Sequence, residues 1–94
     1  MEKEDIIETI TSMLIRFGAT EITLFGSYAR GDETKNSDID VIVEFKETKS
    51  LLELCHIIRL IEEEVKIHID LITKHSVNPD ILPFIQSDMK VLYP

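Results

Sequence analysis

The chain has 94 residues, of which 44% are hydrophobic and 30% are charged, and its formal net charge at pH 7 is -8. This length supports one hydrophobic core of modest size, so we expect a single domain over residues 1–94 and no second catalytic module. The negative charge disfavours direct nucleic acid binding, which needs clustered positive charge, but it is compatible with a basic protein partner or with a polyanion bridged by divalent cations.

The first predicted elements are a helix over residues 4–17 and a strand over residues 20–25. The helix has acidic residues in its first turn, where the helix dipole favours them, and its apolar residues recur at helical spacing. These apolar residues are Ile6, Ile7, Ile10, Met13, Leu14 and Phe17. In the strand, Ile22 and Leu24 alternate with polar residues, which is typical of a strand with one buried face. A glycine ends each element.

Three more regular segments follow a polar loop. Residues 38–45 alternate in the same way and predict a second strand. Ser50 and Glu53 have the spacing of a capping box, which predicts the start of a helix over residues 51–65. Residues 65–72 repeat the alternating pattern and predict a third strand.

The C-terminal segment is predicted to contain one more helix and one more strand. Asn78 and Pro79 are typical of an N-cap and a first helical position, and residues 89–93 fit a short final strand. The order of elements predicts an α/β or α+β fold in which a small mixed β-sheet is covered by helices on one face. We expect the opposite face of the sheet to be sparsely covered.

The helix over residues 51–65 contains the only cysteine, Cys55. A helical wheel places Cys55 on the apolar arc, so we predict a buried, reduced thiol. The same arc holds Leu51, Leu54, Ile57, Ile58 and Ile61. Leu52 and Leu60 fall on the polar side, where they are either anchors for a partner or scattered surface leucines. The three glutamates at 62–64 are interpreted as a solvated helix end.

No segment of the sequence predicts association with a membrane. The apolar runs are shorter than the roughly 18 residues that a membrane-spanning helix needs. The N-terminal residues lack the basic segment, apolar stretch and cleavage site of a signal peptide. We therefore expect a cytoplasmic protein.

Two aspartates one residue apart, Asp38 and Asp40, begin the second predicted strand. Residues i and i+2 of a strand share a face, about 6 to 7 Å apart, and Asp70 joins them if its strand is the neighbour. Three carboxylates in a small volume repel one another unless protons or cations intervene. Hard oxygen ligands suit Mg²⁺ or Mn²⁺, and two such ions bridged by the aspartates would suit nucleotidyl transfer.

Other chemistry for these carboxylates fits less well. A calcium loop requires oxygen donors at fixed offsets and a glycine at its sharp turn, whereas Val, Ile and Val follow Asp40. Glycoside hydrolysis requires carboxyl groups on opposing sides of a sugar. His68 shares the predicted face of Asp70, and we interpret it as a structural or surface residue rather than a catalytic one.

Gly26 and Ser27 form a second candidate site, for phosphate binding. A strand that ends in Gly-Ser and turns into a short helix presents backbone N–H groups and the positive end of the helix dipole to an anion. The Ser27 hydroxyl can bond a phosphate oxygen, and Arg30 can add a charge-assisted contact. The Gly-Ser pair alone indicates only a turn, but the aspartate pair follows it within about a dozen residues.

Together, the segments G-S-Y-A-R-G, S-D-I-D-V and I-D-L resemble the minimal nucleotidyltransferases of the DNA polymerase beta superfamily, and the resemblance runs from the first helix to the end of the chain. In that family the glycine-serine turn binds the triphosphate and three aspartates hold two Mg²⁺ ions. The resemblance implies that Gly26 and Ser27 bind ATP, and that the catalytic metal ligands are Asp38, Asp40 and Asp70. Tyr28 stands where the family often has Arg, which concerns only an additional phosphate contact.

The resemblance further implies a polymerase beta-like nucleotidyltransferase fold and a biological role. Such small proteins are antitoxins that transfer AMP from ATP to a tyrosine hydroxyl of a partner HEPN toxin. Two alternatives are a non-catalytic antitoxin that masks its partner by contact, and a transferase that acts on a small-molecule acceptor. The sequence leaves open the nucleotide base, the acceptor residue, the number of nucleotides transferred and whether the protein forms a homo- or hetero-oligomer.

Overall fold

The computed structural model describes all residues, 1–94, and contains one four-stranded mixed sheet. The strands are β1 (Ala19–Phe25), β2 (Ile39–Phe45), β3 (Ile69–Thr73) and β4 (Lys90–Tyr93). Their order across the sheet is β3-β2-β1-β4, with β1 antiparallel to both β2 and β4 and with β3 parallel to β2. The predicted α+β fold with a small mixed sheet is confirmed.

Two long helices, α1 (Lys3–Arg16) and α3 (Leu51–Val65), pack on one face of the sheet and form the hydrophobic core with it. Each helix buries one residue per turn over three turns. These residues are Ile6, Ile10 and Leu14 in α1, and Ile57, Ile61 and Val65 in α3. The inward-facing strand residues below them are Ile22, Leu24, Ile39, Val41, Val43 and Ile69. Burying one such aliphatic side chain contributes about 1.5–3 kcal/mol, so this core fixes the sheet that carries the polar residues.

The opposite face is crossed by the connection from β3 to β4. The helix predicted to begin at Asn78 is wrong, because the connection contains only a short helix α4 (Leu82–Ile85) between two 3₁₀ turns, Lys74–Ser76 and Gln86–Asp88. Pro83 has no N–H and its ring would clash with the carbonyl four residues earlier, so a helix cannot run through it from Asn78. Asn78 instead closes a local turn, in which its Oδ1 accepts a hydrogen bond from Asp80 N at 2.9 Å.

The connection between α3 and β3 also differs from the prediction at one end. The capping box is confirmed, since Ser50 Oγ accepts from Glu53 N at 3.2 Å and Glu53 Oε1 accepts from Ser50 N at 2.9 Å. Strand β3 begins at Ile69 rather than at residue 65, because α3 continues through residue 65 and Lys66 then takes a left-handed conformation with φ of 62°. None of the helices is long and apolar enough to span a lipid bilayer.

Cys55 is exposed, so the prediction of a buried thiol is wrong. The first turns of α3 make little contact with the core, and Leu51 and Leu52 are 75% and 83% exposed. The buried stripe of α3 is narrower than the helical wheel indicates and begins only at Ile57.

We therefore expect the Cys55 thiol to react with a thiol-specific reagent in the native protein nearly as fast as in denaturant. An exposed thiol needs no unfolding step before it meets the reagent, whereas a buried one reacts only when the chain opens. Ellman's reagent with and without urea measures both rates. A native reaction slower by orders of magnitude would contradict the exposed position.

Candidate active site

The three elements that carry the predicted site residues meet at one edge of the sheet. Because β1 is antiparallel to β2 and β3 is parallel to β2, the end of β1 and the beginnings of β2 and β3 lie together. The register places Asp40 opposite Phe25 of β1 on one side and opposite Asp70 of β3 on the other. The glycine-serine turn begins at Gly26, directly after Phe25.

Asp40 and Asp70 form a carboxylate pair across neighbouring strands. Paired residues on adjacent strands are about 5 Å apart and point to the same face. Asp40 is half-buried, whereas the side chain of Asp70 is 56% exposed. Burial, followed by the negative charge of Asp70 and a hydrogen bond to it, raises the pKa of Asp40 to about 6. The position of Asp40, half-buried beside a second carboxylate, therefore disfavours its ionised form.

Asp38 lies at the same end of the sheet, but its side chain does not contact the pair formed by Asp40 and Asp70. It precedes β2 and is exposed, and its charge raises the pKa of Asp40 less than Asp70 does. No three carboxylate, imidazole or thiol side chains of the chain converge closely enough to hold one metal ion without rearrangement. The backbone thus brings all three predicted aspartates to one edge, and the side chains bring two of them together.

Gly26 lies directly against this pair. Its backbone has φ of 74° and ψ of -157°, a region that only glycine adopts without strain. A Cβ atom at this position would overlap Asp40 Oδ2 and lie 3.2 Å from Asp40 Cγ. The absence of a side chain at Gly26 is therefore what allows the turn to approach the Asp40 carboxylate.

Ser27 opens the short helix α2 (Ser27–Arg30), and the next residue anchors it. Tyr28 is buried in the hydrophobic core, and Lys3 Nζ lies 5.9 Å from the centre of its ring. Sequence reasoning treated Tyr28 only as a replacement for a phosphate-binding Arg. Because its aromatic side chain is buried, Tyr28 holds the glycine-serine turn against the hydrophobic core.

Arg30 is engaged by two carboxylates on the surface. Its Nε lies 3.2 Å from Asp32 Oδ2, and its Nη1 lies 3.2 Å from Asp88 Oδ2 in the second 3₁₀ turn. The guanidinium is close enough to the pair that it lowers the pKa of Asp40 slightly, although burial and Asp70 outweigh it. These contacts engage only Nε and Nη1, so the two N–H groups of Nη2 can donate to a phosphate oxygen.

The residues at this edge fit a hard divalent cation. Carboxylate oxygens are the ligands that Mg²⁺ prefers, and Mg²⁺ takes one or two of them while keeping other positions for water or phosphate oxygens. Burial, followed by the negative charge of Asp70, raises the pKa of Asp40, and a bound cation would stabilise the ionised form of this carboxylate.

The family profile described as a nucleotidyltransferase domain matches residues 6–92. This chain belongs to that family. The nucleotidyltransferase is 38% identical over 79 residues to a candidate protein adenylyltransferase of Methanocaldococcus jannaschii, and the match covers 84% of this chain and 85% of that protein. It is 39% identical over 66 residues to the protein adenylyltransferase MntA of Thermococcus cleftensis, with coverage of 70% and 67%.

Solved structures share the fold of this nucleotidyltransferase. A candidate minimal nucleotidyltransferase superposes with a TM-score of 0.79 at 26% identity, covering 96% of this chain and 95% of that one. A chain of a toxin–antitoxin complex with AMP-PNP gives 0.81 at 24% identity, covering 93% and 72%. A third match, at 0.77 and 19% identity with coverage of 98% and 72%, is to a complex of a tri-AMPylated Shewanella oneidensis HEPN toxin with its MNT antitoxin. The minimal nucleotidyltransferase fold expected from the sequence is confirmed.

Proposed function

We propose that this nucleotidyltransferase transfers AMP from ATP to a tyrosine hydroxyl of a partner HEPN toxin, depends on Mg²⁺, and acts as an antitoxin. The observation that carries the proposal is the contact between the Gly26 turn and the Asp40–Asp70 pair. A phosphate-binding turn beside a carboxylate pair is the arrangement that nucleotidyl transfer requires. Relatives named protein adenylyltransferases support a protein as the acceptor.

Each residue of the site has a role in this proposal. The aspartates Asp38, Asp40 and Asp70 would hold the metal, with two Mg²⁺ ions expected. Bound metal supplies electrostatic stabilisation of the negative charge that develops on the phosphates during transfer. Gly26 lets the backbone approach the triphosphate, and Ser27 donates its hydroxyl to a phosphate oxygen. Asp40 and Asp70 are already held in register by the sheet, so little ordering is needed when the nucleotide binds.

Arg30 can bind a phosphate without losing its present partners. Its Nε and Nη1 face Asp32 and Asp88, whereas Nη2 makes none of the hydrogen bonds within the chain. In the proposed complex, Nη2 donates to a phosphate oxygen in a charge-assisted contact.

Incubation with ATP labelled at the α-phosphate, Mg²⁺ and the toxin encoded by the neighbouring gene tests the proposal. We expect the toxin to become labelled on a tyrosine, identified by peptide mass spectrometry, and to lose its toxicity in a growth assay. The matched control uses ATP labelled at the γ-phosphate, which leaves no label if AMP is transferred. Labelling that persists when EDTA removes divalent cations would contradict the metal dependence.

A second candidate function is masking of the toxin by contact alone. Leu51 and Leu52, both largely exposed on α3, favour it because they offer apolar contacts to a partner. In this case the Asp40→Asn variant would still neutralise the toxin at equal concentration and without ATP. A transferase acting on a small molecule instead would leave the toxin unlabelled but would consume ATP when that acceptor is supplied.

A further inference from the structure

We infer that Glu62 is a positioning residue for Asp70: it fixes the first residues of β3 so that the Asp70 carboxylate stays opposite that of Asp40. The inference rests on the proposed function, in which Asp70 is a metal ligand. Glu62 belongs to the last turn of α3, and the connection between α3 and β3 separates it from Asp70. It is the first of the three consecutive glutamates that the sequence suggested were merely solvated.

Glu62 makes two contacts with the residues that precede Asp70. Its Oε2 accepts a hydrogen bond from the backbone N–H of Ile69 at 2.8 Å, in a partly buried position. The same oxygen lies 2.7 Å from Nδ1 of His68. Nε2 of that imidazole is 3.9 Å from Asp70 Oδ1. One carboxylate therefore holds both the backbone and the side chain that adjoin Asp70.

The contact with Ile69 matters because β3 is an edge strand. In such a strand every second N–H points away from the sheet and has no strand partner. On the inner side, His68 O accepts a hydrogen bond from Ile39 N of β2 at 2.9 Å. On the outer side, Glu62 accepts the bond from Ile69 N. The backbone just before Asp70 is thus held from both directions, which fixes the register in which Asp70 faces Asp40.

The neighbouring glutamates do not share this arrangement. Glu63 and Glu64 are exposed, whereas Glu62 is partly buried. They carry the same charge, stand on the same helical turn and form none of the side-chain hydrogen bonds of the chain. Glu63→Ala is therefore a matched control, because it removes an equal charge from the same turn without touching β3.

Removing Glu62 should weaken metal binding more than it weakens the fold. Residues that orient metal ligands typically change metal affinity or activity by roughly 10- to 100-fold when they are removed. We expect Glu62→Ala to bind Mn²⁺ roughly 10-fold more weakly than the wild type. Glu62→Gln keeps an oxygen that accepts from Ile69 N–H, so this variant should bind Mn²⁺ nearly as tightly as the wild type.

The experiment measures Mn²⁺ affinity by calorimetry well below the melting temperature of each variant, with folding checked by circular dichroism. A purely structural role would lower the melting temperature of Glu62→Ala but leave the Mn²⁺ affinity of the folded protein unchanged. Unchanged affinity in Glu62→Ala, or a loss in Glu62→Gln as large as that in Glu62→Ala, would overturn the inference. So would an equal loss in Glu63→Ala.

Hydrogen exchange in the metal-free protein separates this inference from the proposed function. The amide of Ile69 should exchange faster in Glu62→Ala than in the wild type, while Glu62→Gln keeps it protected, because the amide loses its acceptor only in the first variant. This measurement requires neither ATP nor a toxin. Equal exchange in the wild type and Glu62→Ala would overturn the inference, whereas a toxin that stays unlabelled would overturn only the proposed function.

Discussion

Asp40→Asn is expected to abolish AMP transfer and, in metal-free buffer, to stabilise the protein. The variant loses the carboxylate at the centre of the site, so we expect transfer to fall by roughly 10³-fold or more, as expected when preorganised electrostatic stabilisation is lost. The stabilisation has a different origin. Asp40 is half-buried beside Asp70, which raises its pKa to about 6, and the asparagine amide can donate to Asp70 instead of repelling it.

The size of the stabilisation depends on pH. Because the pKa of Asp40 is raised in the folded state, its protonation favours folding, and this contribution is lost as the pH rises through about 6. The wild type and Asp40→Asn should therefore be closest in stability at pH values below 3.8, the ordinary pKa of an aspartate carboxyl. Above neutral pH the variant should be more stable by about 1 kcal/mol, a value that allows for solvent screening of a half-exposed group.

Thermal melting in EDTA at several pH values measures this difference, and labelled ATP measures transfer. The control is Asp80→Asn, since Asp80 is exposed and its side chain takes part in no ion pair. That variant makes the same chemical change and should alter neither quantity. An Asp40→Asn variant that melts below the wild type at pH 8 would show that the carboxylate pair is not under repulsion.

Gly26→Ala is the second change with a large expected effect, because it introduces two separate faults. The backbone of Gly26 has a positive φ in a region essentially restricted to glycine, so an alanine there costs about 1–3 kcal/mol. The new methyl group also overlaps Asp40 Oδ2. The carboxylate must move, and a displacement of about 1 Å in a reacting group can reduce the rate by roughly 10²-fold. We therefore expect loss of both stability and transfer.

Gly18→Ala separates these two faults. Gly18 also has a positive φ, of 96°, but a Cβ there would meet no atom within 4 Å. This variant should lose about 1–2 kcal/mol of stability from backbone strain and keep the wild-type transfer rate. Urea unfolding and transfer assays below both melting temperatures measure the two effects. Equal activity in the two variants would show that the Asp40 carboxylate does not depend on space at Gly26.

Much of the candidate site could be predicted from local sequence. Alternation of polar and apolar residues determined which face Asp40 and Asp70 occupy, and the glycine-serine pair marked the end of β1. The return of the chain to the same end of the sheet follows because β1 and β2 are antiparallel neighbours, joined by residues 26–38. The pairing of β3 with β2 could only be stated as a condition, because neighbouring strands far apart in sequence leave no local signal.

The incorrect predictions have a common physical origin, because each depends on contacts between one helix or strand and another. Glu62 is the first of three consecutive glutamates, a pattern that is typical of a solvated helix end. Only the packing of α3 beside β3 brings its carboxylate to Ile69 N. Cys55 lies on an apolar arc, but the helix begins beyond the edge of the core, so the arc faces solvent there. A periodic pattern indicates which side of an element is apolar and does not indicate how far its neighbour extends.

The parallel pairing of β2 with β3 has a consequence for how the protein folds. Asp40 and Asp70 approach each other only when the crossover through α3 has closed, and their repulsion opposes this closure. The hydrophobic contacts of α3 favour the same closure. A divalent ion that binds only the closed form would therefore act as a folding ligand, since binding to the native state alone stabilises that state by an amount that grows with the ion concentration relative to its Kd. Newly synthesised chains would then reach full stability in the same ionic conditions in which they become competent for transfer.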